Sequence, residues 1–484
     1  MFLRIANTPR PYAWGSTTAI SSLLGTEASG GPEAELWLGT HPGSPSRLVQ
    51  PVDGAQTLAE WLERQGGEVA ASAGASVPAL GAVPVDVPKT KEIRDETTAA
   101  GTSAAEKGEN SFEFGEGRLP FLLKILAAGG PLSLQAHPTP EQAIAGFERE
   151  NAAGIPLDAP HRNYKDPYPK PEIIYALSDT FDALCGFRDP QLSAQIVRAL
   201  GPDDRLEQLA ARIESRPLAE VFEWLITRGP GVDELVAAVT RAAAATAAAS
   251  SAAGAAASAA PAASAPPAAS APPADGLPKT KEIPGETTPQ GVDGAESGHS
   301  SFVFGSAAAD AAAGTVRMLA AEYPGDPGIV ISLLLNRVTL RRGEALYLPA
   351  GNIHAYLHGL GVELMVASDN VLRGGLTPKH IDVGELLAVL DFAPQPVPWL
   401  RPVRSGGADI FRPTDAGFEL AVVDGSASLA LETSAIAICT RGEATVTGQE
   451  SSVRLVRGDS VFITASEGAL TVEGDAELFI ASGS

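Results

Sequence analysis

Apolar and polar positions change rhythm several times along this chain of 484 residues. Residues 1–65 read as short strands and turns. One apolar run ends at Trp37 to Thr40, and HPGSPS (41–46) is turn chemistry. TLAEWLERQG (57–66) has helical spacing, with Leu58 and the Trp61–Leu62 pair on one face. The period is lost over 67–117, which fills with Ala, Gly, Glu, Lys and Thr and reads as a flexible insertion. Helical spacing returns over 189–240, in LSAQIVRAL and PLAEVFEWLITR. A second biased tract, 242–314, holds AAPAASAPPAASAPPA, where proline recurs too often for a helix, and reads as disordered. After it the chain turns strand-rich in IVISLLLNRVTL and ALYLPAG, and ELLAVLDF (385–392) reads as a helix. Residues 409–482 alternate apolar and polar positions between glycine turns, the pattern of an all-β sandwich or barrel.

The two biased tracts share a near-repeat. PKTKEIRDETT (88–98) returns as PKTKEIPGETT (278–288), followed by NSFEFG (110–115) and SSFVFG (300–305) respectively. Two copies are too few for a solenoid, so shared surface loops are expected.

Composition narrows the class. The formal net charge of -23 excludes a general binder of nucleic acid or anionic membrane, both of which need a basic face. A small phosphorylated ligand remains compatible, because a local Lys/Arg cluster can override the global field. Two cysteines, Cys185 and Cys439, make no disulfide framework and fit a reducing compartment. The start MFLRIANTPR has no long apolar stretch, and no run is apolar enough to span a bilayer, so a cytoplasmic protein is expected.

Histidine is scarce, with seven in the chain, so each one carries information. Gln135 and His137 are spaced by two on a strand-like run that ends at Pro138, which puts both side chains on one face. In GEALYLPAGNIHAYLHG (343–359), Gly343, Pro349, Gly351 and His354 reproduce the spacing of the second cupin motif, with His354 facing into the barrel. His358 has the same parity but is expected at a lip or surface. Glu172 follows Lys170–Pro171 and opens an apolar strand, where a charge is ordinarily just a solvated strand end. Beside an amide and two imidazoles it becomes a fourth ligand candidate. Such an O/N site suits Zn²⁺, with Mn, Fe or Co left open. In HAYLHGLGVELMVASDNVLRGGLTPKHID (354–382), Glu363, Asp369, Asn370, Arg373 and Lys379 crowd a stretch with little strand or helix logic of its own, which marks a ligand loop. RGDSVFITASEG (457–468) has Thr464 where a cupin proline would stand, and no histidine follows His380, so the last region reads as a degenerate cupin without metal.

These segments resemble the type I phosphomannose isomerases. The matching pieces are PYAWGS (11–16), ELWLGTHPGSPS (35–46), LPFLLKIL (119–126), LSLQAHP (132–138), YKDPYPKPE (164–172) and HAYLHGLGVELMVASDNVLRGGLTPK (354–379). The resemblance implies a mainly β fold with an inserted α-helical domain and two cupin/jelly-roll barrels, one catalytic and one C-terminal and degenerate. The expected domains are a catalytic cupin (1–188 with 315–395), a helical domain (189–314) and the degenerate cupin (396–484). It implies one Zn²⁺ per chain, held by Gln135, His137, Glu172 and His354. Arg373 matches the family's catalytic arginine. Lys124, Lys170, Glu363 and Asp369 match residues of the catalytic pocket, and Ser133, Lys379, Tyr356 and Trp14 match residues that bind substrate. The implied reaction interconverts mannose 6-phosphate and fructose 6-phosphate through a cis-enediol, feeding GDP-mannose metabolism, in a monomer whose partner is a phosphorylated hexose. One departure stands out: the family usually has Asn-His before Lys-Pro-Glu, where this chain has Tyr168–Pro169.

Two other readings compete. A cupin oxidoreductase or epimerase predicts redox-active iron and a His-x-His pair, but the pair here is Gln-x-His. A sugar-binding cupin regulator without turnover is compatible with Tyr168–Pro169, since a fold does not dictate an activity.

Overall fold

The computed structural model describes residues 1–72, 117–258 and 300–483. The chain is mainly β, in two antiparallel sheets of eleven and ten strands, with helices packed beside them. The ten-stranded sheet is organised by the long strand His354–Val366. That strand pairs with Phe121–Ala128, placing Glu363 opposite Lys124, and with Glu172–Ala176, placing Met365 opposite Glu172. Its first residues pair with Gln135–Ala136, His354 opposite Gln135, and with Thr180–Phe187.

Phe121–Ala128 is buried at all eight positions. Alternation nevertheless splits it, as the pleat requires. Leu123, Ile125 and Ala127 join one core while Leu126 and Ala128 join another. Lys124 has the parity of Leu122 and Leu126 and shares their face.

The eleven-stranded sheet is centred on Ala435–Thr447 and Ala469–Gly483, paired along nearly their whole length. Its other members include strands from the chain's start. Phe2–Ala6 pairs with Ser460–Ile463 and with Arg47–Val52. Cys185 and Cys439 are both buried and free.

The helical spacing over 189–240 corresponds to helices Pro190–Ala199, Asp204–Ser215, Leu218–Ile226 and the start of Val232–Ser258. Asp189 caps the first of them, its Oδ1 accepting from the backbone N–H of Gln191 at 2.8 Å and of Leu192 at 3.2 Å. Leu58–Ser72 is helical as its spacing predicts, with Leu58 and Trp61 buried.

Two expectations are corrected. The tract 242–314 is not wholly irregular: the helix Val232–Ser258 runs into it and the helix Ser300–Glu322 runs out of it. Alanine is the strongest helix former, and Ala243, Ala312 and Ala313 are buried where these helices pack. Of the insertion expected over 67–117, residues 67–72 end the helix Leu58–Ser72; residues 73–116, the proline-rich stretch and both PKTKEI copies lie outside the described residues. In IVISLLLNRVTL only the second half is strand. Gly328–Ile331 and Ser332–Leu334 are helical, and the strand is Leu335–Arg341. A short run buried on every side has no period to distinguish the two forms. The local signal was Asp326–Pro327, where the Asp326 carboxylate accepts from the Gly328 N–H at 2.7 Å and proline starts the turn. Among the described residues, no helix is long and apolar enough to cross a membrane.

Candidate active site

The strands that open at Glu172 and His354, and the residue just past the strand Gln135–Ala136, deliver His137, Glu172 and His354 to one point, with potential ligand atoms all within 4.8 Å of one another. Each imidazole is oriented from behind. His137 Nδ1 lies 2.7 Å from the Asn370 carbonyl oxygen, and His354 Nδ1 lies 3.0 Å from that of Asn352. A carbonyl only accepts, so each ring carries its hydrogen on Nδ1 and presents a lone pair at Nε2. Both Nε2 atoms face Glu172, at 3.3 Å from Oε1 and Oε2 respectively. Lone pairs facing carboxylate oxygens in a buried site call for a cation between them. His137 Nε2 and Glu172 Oε1 are indeed buried without hydrogen-bond partners. Lys170 Nζ stands 2.9 Å from that same Oε1, as an ion pair outside hydrogen-bonding geometry.

Protonation supports the same fit. Burial, then the Lys170 charge, pushes His137 down to about 4, leaving it neutral at pH 7. Burial works to raise the Glu172 carboxyl, but the Lys170 charge beside it holds it well below the usual carboxylate range. Gln135 Nε2 lies 3.3 Å from His354 Nε2. Turning the amide over presents its carbonyl oxygen to the same point, which a metal requires. Gly351, at φ 76°, donates its N–H to the His137 carbonyl at 2.9 Å and ties the two ligand segments together.

Beside this cluster lies a buried charge network. Lys124 Nζ is 2.8 Å from Glu363 Oε2 and 3.6 Å from Glu35 Oε1. The Trp37 ring lies under the ammonium at 5.0 Å, and its Nε1 donates to Glu35 Oε2 at 3.0 Å. Burial acts to discharge Lys124, and the carboxylates of Glu35, Glu363 and Glu172 outweigh it, so its amine is pushed up. The Glu363 carboxyl is also pushed up, by burial first, against the pull of Lys124. Tyr356 donates its hydroxyl to Glu172 Oε2 at 3.3 Å.

A cavity of about 510 Å³ opens over these groups. Gln135, Glu172, Lys170, Lys124, Glu363 and Tyr356 line it, together with Trp14, Ser133, Asp369, Arg373 and Lys379 among others. His137 and His354 sit behind Glu172, fully buried. Every site residue named from the sequence thus lies in the cavity wall or directly behind it. Burial pushes the Arg373 guanidinium down, and burial, Arg373 and Lys165 together push Lys379 down. These are clustered cations awaiting an anion.

Comparison with known proteins agrees with this geometry. Residues 2–94 and 80–190 match the type I phosphomannose isomerase catalytic domain, and residues 414–482 match the mannose-6-phosphate isomerase cupin domain. The mannose-6-phosphate isomerase of Escherichia coli (strain K12) is 32% identical over 486 residues, covering 98% of each chain. The chain belongs to the type I phosphomannose isomerase family. The human mannose-6-phosphate isomerase, another relative, is 28% identical over 94% of this chain and 92% of its own length. The Salmonella typhimurium mannose 6-phosphate isomerase, solved with fructose 6-phosphate and zinc, superposes with a TM-score of 0.69 at 29% identity. It covers 100% of this chain and 99% of its own.

At the position where the family usually has Asn-His, Pro169 is buried. The Tyr168 ring lies 5.7 Å from the Arg118 guanidinium, and its carbonyl accepts from Asn370 Nδ2 at 2.8 Å. Asn370 also accepts from the Lys165 N–H at 2.7 Å, so one buried amide ties the loop before Lys170 to the loop carrying Asp369. Three residues of the site escaped the sequence reading of chemistry. Glu35 stands in the sequence only as the first letter of ELWLGTHPGSPS, Asn370 only as one polar residue of the ligand loop, and His41 only as part of a turn. The signal for His41 was available in the scarcity of histidine.

Proposed function

We propose that this chain is a zinc-dependent mannose-6-phosphate isomerase, interconverting mannose 6-phosphate and fructose 6-phosphate through a cis-enediol. The observation that carries the reading is the convergence of His137, Glu172 and His354 beside a cavity that also receives Arg373 and Lys379. The Salmonella relative solved with fructose 6-phosphate and zinc supports the same substrate and metal. Gln135, His137, Glu172 and His354 hold the metal. Zinc bound there supplies Lewis-acid stabilisation for oxygen charge in the adjoining cavity.

The protein's own groups do the rest. Ser133, Arg373 and Lys379 anchor the phosphate, and Arg373 can also steady the enediolate oxygens. A base moves the proton from C2 of the aldose to C1, while a hydroxyl proton passes from O2 to O1. An effective base titrates near the working pH. Glu363, pushed up and paired with Lys124 at 2.8 Å, fits that role better than Asp369, which is held at about 2. Burial acts to raise Asp369, and His41, Lys170 and Lys165 reverse it. Lys170 and Asp369 orient the sugar hydroxyls, and Trp14 and Tyr356 close the cavity around the ring.

The same reading keeps the division into a catalytic cupin (1–188 with 315–395), a helical domain (189–314) and a degenerate cupin (396–484). The strands Phe2–Ala6 and Arg47–Val52 join the sheet of the last. The protein acts as a cytoplasmic monomer, and its product supplies GDP-mannose formation. The test is turnover. Purified protein is incubated with mannose 6-phosphate, and fructose 6-phosphate is followed with and without a chelator. Zinc-restored, chelator-sensitive formation is expected. A metal-loaded protein without turnover defeats the reading, and a rate indifferent to the chelator defeats its metal.

A further inference from the structure

His41 lies in the turn after the strand Glu35–Leu38, is 3% exposed and lines the same cavity as Asp369. Among the residues lining that cavity it is the one histidine. The Gly43 backbone N–H donates to its Nδ1 at 3.0 Å. A ring nitrogen that accepts carries no hydrogen, so the hydrogen is on Nε2. Nε2 lies 3.4 Å from Asp369 Oδ2, a close polar contact longer than a well-formed hydrogen bond. The ring has little freedom to turn. Trp37 meets it edge-on at 4.9 Å, and the Gly43 position is so close that an added Cβ would stand 3.2 Å from Nδ1. The Asp369 backbone is held by Asp166, its N–H donating to Oδ2 at 2.9 Å, while its carboxylate is half exposed at the cavity.

We propose that His41 is a positioning residue for the isomerase reaction, fixing the orientation of the Asp369 carboxylate at the substrate cavity through its Nε2–H. This rests on the isomerase reading. A fixed carboxylate accepts one substrate hydroxyl in one geometry. A loose one binds the sugar almost as well but aligns its carbons poorly. The groups facing Asp369 are His41, Lys170, Lys165 and Asp166, and only His41 offers a rigid donor on a ring locked by packing.

Glutamine and asparagine separate the two contacts of the ring. In His41→Gln the amide nitrogen reaches the place of Nε2 and can still donate to Asp369. In His41→Asn the carbonyl oxygen takes the place of Nδ1, keeps the Gly43 contact and does not reach Asp369. We expect His41→Gln to stay within about threefold of the parent kcat. His41→Asn should lose roughly 30-fold to 100-fold in kcat with KM changed less than about threefold, the scale set by misplacement near 1 Å. Adding Asp369→Asn to His41→Asn should lower kcat no further than Asp369→Asn does alone. Equal activity of the two His41 variants, an Asn variant better than the Gln variant, or losses that multiply in the double variant overturn the proposal.

The parent enzyme is assayed alongside. A parent without turnover on mannose 6-phosphate fails the isomerase reading instead. The positioning claim is then read by carbon-13 NMR of labelled aspartate. The Asp369 carboxyl should stay ionised well below pH 4 in the parent and in His41→Gln, and titrate higher in His41→Asn. Identical titration in all three overturns the claim.

Discussion

Two 13-residue strands occupy the centres of the two sheets, and they are built to opposite ends. His354–Val366 carries His354, Tyr356 and Glu363, all buried and polar. Ala435–Thr447 carries Ala435, Ala437 and Cys439 into an apolar core of leucine, isoleucine, valine and alanine side chains. The inward alanines and cysteine of the second strand satisfy their surroundings with dispersion and area burial, and its buried hydroxyl, Thr440, donates to Glu477 Oε2 at 2.6 Å. The first buries imidazole, phenol and carboxylate, each of which costs stability unless partnered. Its partners come from three other strands, and two atoms of the cluster remain without one. One strand gathers polar groups beside a cavity, while the other gathers apolar ones into a core.

The sharpest break in this contrast is Glu172→Ala. It removes the central ligand and leaves two imidazoles facing a void, so metal content and turnover should both fall below detection by elemental analysis and kinetic assay. Arg373→Ala should keep the metal and lose about 10²- to 10³-fold in kcat, as removal of an oxyanion-stabilising cation does. Metal lost together with activity would place Arg373 in the metal cluster's support instead.

The eleven-stranded sheet should respond in stability, not chemistry. Glu467 is fully buried and accepts from the backbone N–H of Glu450 at 3.0 Å, that of Ser451 at 3.2 Å, and the Ser451 hydroxyl. Glu467→Ala should cost about 2 kcal/mol in chemical denaturation, since it orphans these donors, with kcat per folded molecule unchanged. Burial works to raise the Glu467 carboxyl, and hydrogen bonds from the chain's amino group, Ser451 and the two backbone N–H groups hold it at about 2. A carboxyl depressed by folding stabilises above its unfolded value, near 4.5. That contribution should fade as pH falls from there toward about 2, and the acid limb of the stability curve should flatten in Glu467→Gln. The smallest effect is expected at His358, which is exposed although it lies on the strand of His354. His358→Ala should change stability by less than about 0.5 kcal/mol and leave turnover intact.

Much of the site was legible because its parts are local. Gln135 and His137 stand two apart at the end of a short strand, His354 follows two glycines and a proline at cupin spacing, and Glu172 opens its strand. The helices of 189–240 were legible for the same reason, their apolar stripes repeating at helical spacing. The buried run 328–334 was not, because burial on all sides erases the period. Position 358 shows the limit of parity. A register shift between Tyr356 and His358 turns the later residue out to solvent, and a bulge leaves no trace in alternation.

Residue spacing along the chain pointed to the side chains that face inward, and the scarcity of histidine made each imidazole a candidate ligand. It did not settle what they face. Lys124 meets Glu363 because two strands pair antiparallel in one register. Glu35 joins them because a third strand, Glu35–Leu38, places Trp37 opposite Lys124. The chain's first strand completes the sheet formed by its last strands. His41 reaches Asp369 from a turn whose composition announces only a turn. Periodicity reports that a face is covered, whereas the identity of the cover depends on non-local register. That register is chosen by the packing of the whole sheet, and only the assembled structure contains it.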